Sequence, residues 1–229
     1  MTWEQIAVEF SVWVLPVLLA VTLHEAAHGW VAWKLGDDTA YSLGRVTFNP
    51  VRHIDPFGTV ILPGLLLFMS GGKFMFGFAK PVPVNFMRLR KPRRDMIWVA
   101  AAGPGANILI AVVCGALFHL LPLFPESFGR WLELNLTNAI WINVLLAVFN
   151  MIPLPPLDGG RVAVGLLPRS LARPLARVES FGIFIILGIV FLLPWIGGKL
   201  GMTLNVFEWL VLYPAAVVSN AILTLTGVQ

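Results

Sequence analysis

Five stretches of this chain, at about residues 5–35, 96–121, 134–152, 178–195 and 202–225, are apolar for the length of a bilayer crossing. A helix needs about 20 mostly apolar residues to cross about 30 Å of hydrocarbon, at 1.5 Å per residue. In lipid, only helices and closed barrels satisfy their own backbone. Composition agrees, because 58% of the residues are hydrophobic and only 12% are charged, about half the charged share of a soluble domain. The expected fold is an all-α polytopic membrane protein with about five transmembrane helices. One membrane-embedded domain over residues 1–229 is expected, with a core at about 5–168 and two further spans at about 178–225.

Two connecting stretches call for other structures. Residues 40–48, "AYSLGRVTF", alternate apolar and polar side chains, which predicts a short β-hairpin. Residues 56–70 carry an apolar run broken by Pro63, too short for a full crossing and suited to a re-entrant segment. If that segment returns to the side it left, only Arg130 and Lys199 of the 16 cations lie on the far side. The positive-inside rule then puts the N-terminus outside and the C-terminus in the cytoplasm. The net charge of +4 needs no nucleic-acid partner, since these cations sit at loop ends as topology signals. Glu4 and Glu9 stand where a signal peptide would carry cations, so the first apolar run reads as a retained span. The single cysteine, Cys114, lies in an apolar run and reads as a small buried hydrophobe.

The first span contains "HEAAH", His24 to His28. Residues four apart stack on one helical face, so both imidazoles can reach one metal ion. Glu25 points about 100° around from His24, near such an ion without having to bind it. In this H-E-x-x-H pattern the histidines hold zinc and the glutamate handles the proton of the attacking water. The chain has four histidines, and two of them fall in this register. An ionised glutamate inside a span costs several kcal/mol unless it is paired or solvated. A catalytic zinc wants a third protein ligand. Asp158, in "NMIPLPPLDGGR", is a candidate, because Pro153, Pro155 and Pro156 break the helix and Gly159 and Gly160 permit a tight turn. By itself Asp158 reads better as the N-cap of a helix over "GGRVAVGLL" than as a ligand.

Together these elements resemble the site-2 protease family of intramembrane zinc metalloproteases. They are "HEAAH" in an early span, "AGPGAN" at Ala102–Asn107, and "NMIPLPPLDG" at Asn150–Gly159. "FGFAKPVPVN", residues 76–85, is similar to a loop of the family's compact bacterial members. The resemblance covers residues 21–161 and implies a compact form without a PDZ or CBS domain. It implies one zinc per chain, held by His24, His28 and Asp158, with Glu25 as the base that activates water. It implies that Asn150 helps hold the substrate backbone or the developing oxyanion; from the sequence alone an interhelical hydrogen bond reads equally well. Asn107, beside Gly103 and Gly105, is expected to give structural support. The substrate would be a membrane protein whose backbone is extended for cleavage, with the 40–48 hairpin offering an edge strand for it. The expected location is a bacterial or archaeal cell membrane, with the site toward the cytoplasm.

Other classes predict other features. A metal-handling transporter needs polar groups at successive depths of the bilayer, whereas here they converge on one level. An inactive binder of transmembrane segments would keep the fold while losing turnover. His53 and Asp55 in "RHIDP" suit capping and turn roles better than a second metal pair, and His119 reads as interfacial. The cluster "RLRKPRRD" reads as a topology anchor that also attracts anionic lipid headgroups. The sequence leaves substrate identity and oligomeric state open.

Overall fold

The computed structural model describes residues 2–69 and 80–228. It is helical, with ten α-helices and no strand among the described residues. Among the described residues, five helices are long and apolar enough to cross a membrane: Ala7–Lys34, Pro92–Leu123, Glu126–Asn150, Gly182–Lys199 and Glu208–Leu225. Large apolar side chains such as Trp13, Trp30, Leu109, Phe184 and Trp209 stand exposed on them, as lipid-facing surfaces require.

Helices α1 (Trp3–Lys34), α4 (Pro92–Leu117) and α5 (Glu126–Asn150) pack against one another. The buried residues of α1 include Ala20, Ala26 and Ala32; such small side chains let helices approach closely where no hydrophobic effect drives them together. Further along, Ala111 and Cys114 of α4 meet Leu136, Ile140 and Val144 of α5. Ala215 and Ile222 of α10 (Tyr213–Leu225) complete that cluster. Cys114 is buried there, as its apolar run predicts. Short helix α6 (Asp158–Leu166) packs on α4. It is followed by α7 (Arg169–Arg177) and by the fourth candidate span, in which α8 (Gly182–Leu187) and α9 (Leu193–Lys199) flank a π-helical turn.

The expected hairpin at 40–48 is absent. Its first half is α2 (Thr39–Ser42), closed by a glycine cap. Gly44 takes φ +63°, its N–H donates to Tyr41 O at 3.0 Å, and Arg45 N–H donates to Ala40 O at 2.9 Å. These are the two hydrogen bonds of a Schellman motif. Tyr41 stacks on Trp33 with ring centroids 4.3 Å apart, and Ala40 is fully buried. Packing against α1 decided this segment, and the edge strand expected for substrate is not there.

The segment at Pro56 begins as a π-helical turn, Pro56–Ile61, and continues as α3 (Leu62–Met69). Asp55 caps it, its Oδ1 accepting from the N–H groups of Phe57 and Gly58. At 1.5 Å per residue this helical stretch reaches about 21 Å, short of a bilayer crossing. Of the expected re-entrant segment, residues 56–70, only residue 70 lies outside the described residues.

Candidate metal centre

The chain between α5 and α6 cannot continue as helix. Three prolines within residues 153–156 remove backbone donors and clash with the preceding turn. It folds back so tightly that a Cβ on Gly159 would lie 2.2 Å from Met151 O. A Cβ on Gly160 would lie 2.2 Å from Pro155 N. Asp158 thereby begins α6 facing α1. The N-cap position belongs to Leu157 and no side chain caps the helix, so the capping reading of Asp158 fails.

Asp158 Oδ2 lies 3.3 Å from His24 Nε2 and 3.3 Å from His28 Nε2. The two Nε2 atoms are 3.0 Å apart, and all three residues are buried. Their hydrogen bonds fix the tautomers. Asn143 Nδ2 donates to Ala139 O at 2.8 Å, so its Oδ1 accepts from Asn107 Nδ2 at 2.7 Å. Asn107 also donates to Ala20 O at 3.2 Å, which leaves its Oδ1 to accept from His24 Nδ1–H at 2.6 Å. His28 Nδ1–H donates to Val99 O at 2.6 Å, an atom that can only accept. Each neutral ring therefore turns a bare Nε2 lone pair toward the other and toward the carboxylate.

Three acceptors thus meet in a buried space with no proton to share, and Asp158 Oδ2 has no hydrogen-bond partner. Such an arrangement calls for a cation. Bonds of 2.0–2.1 Å to a tetrahedral zinc place ligand atoms about 3.3 Å apart, close to the separations found.

Gly103 is the part of this centre that sequence reasoning undervalued. A Cβ there would lie 2.4 Å from His28 Nε2 and 2.7 Å from His24 Nε2, so only glycine lets α4 pass behind both imidazoles. Gly105, by contrast, has nothing within 4 Å of the place where a Cβ would stand. Asn107 bonds both His24 and Asn143, and Asn143 was not singled out at all. Glu25 stands beside the cluster, half-buried, with Oε2 accepting from Val82 N–H at 2.7 Å. Asn150 closes α5 and donates to Leu146 O at 3.0 Å; among the described residues no hydrogen bond links it to the three acceptors. His53 joins no metal cluster among the described residues: its Nε2 bonds Thr47 O at 3.1 Å while Asp55 caps a helix. His119 bonds Thr226 O at 2.6 Å near the end of α10.

The profile of Peptidase family M50 matches residues 127–193. A Bacillus subtilis protein named "Putative zinc metalloprotease YwhC" is 37% identical over 185 residues, covering 79% of this chain and 80% of that protein. The chain belongs to peptidase family M50. M50 is the site-2 protease family, and this chain is a compact, YwhC-like zinc metalloprotease member of it. The Mycolicibacterium smegmatis protein named "Putative zinc metalloprotease Rip2" is 30% identical over 172 residues, 74% of this chain and 62% of that protein. A Methanocaldococcus jannaschii protein named "Putative zinc metalloprotease MJ0611" is 30% identical over 140 residues, 61% of this chain and 62% of its own. No solved structure matches the chain.

Proposed function

We propose that this M50 chain hydrolyses peptide bonds of membrane-protein substrates within or beside the bilayer, using one zinc ion held by His24, His28 and Asp158. The observation that carries this reading is the convergence of two bare Nε2 atoms and an unpartnered carboxylate oxygen in one buried space. When bound, zinc supplies Lewis-acid polarisation that lowers the pKa of water toward about 7. Glu25 takes the proton from the attacking water and delivers it to the leaving amide nitrogen. One turn of α1 carries both ligands and base, so their spacing is set by helix geometry. Asn107 and Val99 O hold the rings in the tautomer that presents Nε2. Asn150, at the nearby end of α5, reaches the substrate carbonyl by giving up its bond to Leu146 O. The enzyme sits in a bacterial or archaeal cell membrane with this centre on the cytoplasmic side, where the cations gather.

The test is cleavage of a reporter transmembrane substrate by reconstituted protein. Glu25→Gln keeps an oxygen for Val82 N–H, so it should fold and retain zinc while turnover drops by about 10²–10⁴-fold. Cleavage at the wild-type rate by that variant would refute the assignment.

A further inference from the structure

Residues 80–85, "KPVPVN", form a nonhelical strap packed on α1. Pro81 and Pro83 keep it nonhelical and lack N–H groups. Three of its remaining N–H groups are held in turn. Lys80 N–H donates to His53 O at 2.9 Å, Val82 N–H to Glu25 Oε2 at 2.7 Å, and Asn85 N–H to Asp37 Oδ2 at 2.6 Å. Asp37 is fully buried and also binds Thr39 N–H at 3.1 Å. At the other end Arg45, only 9% exposed, donates from Nη2 to Lys80 O at 2.7 Å and to Pro81 O at 3.4 Å. The strap lies close because of Gly29, where a Cβ would come within 3.0 Å of Val82 Cγ1 and 2.9 Å of Val46 Cγ2.

A buried guanidinium on two carbonyls of a nonhelical segment is a costly placement unless the segment must stay put. The group fixed between its anchors is the Val82 N–H, and the atom it holds is one oxygen of Glu25. Oε1 makes no hydrogen bond among the described residues. We propose that Arg45 is a positioning residue for Glu25: it pins the strap so that Val82 N–H fixes Oε2 and leaves Oε1 free to take the proton. This rests on the reading of Glu25 as the base. A glutamate with three rotatable bonds gains from such a tether, since misplacement by about 1 Å can cost about 10²-fold in rate.

Two measurements on the full-length protein test it. The first is amide hydrogen exchange, which needs no turnover. Val82 N–H should exchange slowly in wild type and quickly in both Arg45→Ala and Glu25→Ala. The second is reporter cleavage per bound zinc, with kcat and KM separated. Val82→Pro removes the N–H and should lower kcat by about 10²-fold with KM unchanged, while Val82→Ala, which keeps it, loses far less. Arg45→Ala should lower kcat per zinc in the same way, with partial recovery in Arg45→Lys, whose ammonium reaches one carbonyl. If Val82→Pro fails to bind zinc, the Arg45 pair decides. Rapid Val82 exchange in wild type, or full kcat per zinc in Arg45→Ala, would overturn the proposal. Normal cleavage by Glu25→Gln would instead overturn the assignment of the base.

Discussion

At the residue scale, the centre is specified by a short relay of polar groups. Ala139 O, Asn143, Asn107 and His24 Nδ1 form one chain of hydrogen bonds in which each donor settles the role of the next group. Breaking it at Asn107 leaves His24 free to change tautomer or turn. Asn107→Ala should therefore weaken zinc binding by about 10–100-fold, measured by competition with a chelator. An unchanged affinity would mean that the ring is held by something else. The sequence displays His24, Glu25 and His28 openly, because helical stacking at i and i+4 needs no tertiary knowledge. Asp158 is visible as a candidate, but its choice between cap and ligand is made by a turn that brings α6 against α1. Asn143 carries no sequence signal, since an asparagine in an apolar span looks the same whether it orients a ligand or joins two helices. Gly103 shows in the sequence only as part of "AGPGAN", and its importance lies in the imidazoles that occupy the space where its Cβ would be.

At the element scale, apolar length is informative and short alternation is not. The boundaries of α4 and the start of α10 lie within or close to the expected apolar runs, because lipid forces such stretches into helices. Over residues 40–48 the alternation is matched by the last three residues of α2 and a glycine cap. Gly44 has open space around it, so replacing it costs only its left-handed backbone. Gly44→Ala should lower stability by roughly 1–2 kcal/mol, read from denaturant unfolding in detergent. A neutral or stabilising result would favour a strand there, where alanine is no worse than glycine. Helix α6 shows how an element too short to stand alone is held. Arg93 of α4 reaches Gly165 O at 3.1 Å and also Leu167 O, while a Cβ on Gly165 would meet Ile97 Cγ1 at 2.4 Å. The arginine reads as a topology anchor in the sequence, and its contact with α6 emerges only once the helices are packed.

At the scale of the whole molecule, α4 is the common template. It carries Val99 O for one histidine and Asn107 for the other, Gly103 between them, and Arg93 for the helix that bears Asp158. The proposed ligands come from α1 and α6, which are 130 residues apart in sequence between His28 and Asp158. This division explains why the motifs are scattered along the chain. Lipid-driven helix formation sets the spans, small residues and glycines set their approach, and the candidate metal cluster forms where three of the helices meet. The last two spans lie outside that meeting point, with α10 completing an apolar cluster on α4 and α5. Their apolar length announces them as spans, yet nothing in the sequence tells which of them joins the core.

The central claim is that these scattered residues make one zinc site, and metal content tests it most directly. Purified wild type should carry one zinc per chain, and Asp158→Ala should lose it while remaining folded in detergent. A wild-type protein without zinc, or an Asp158→Ala variant that holds it as tightly, would contradict the account.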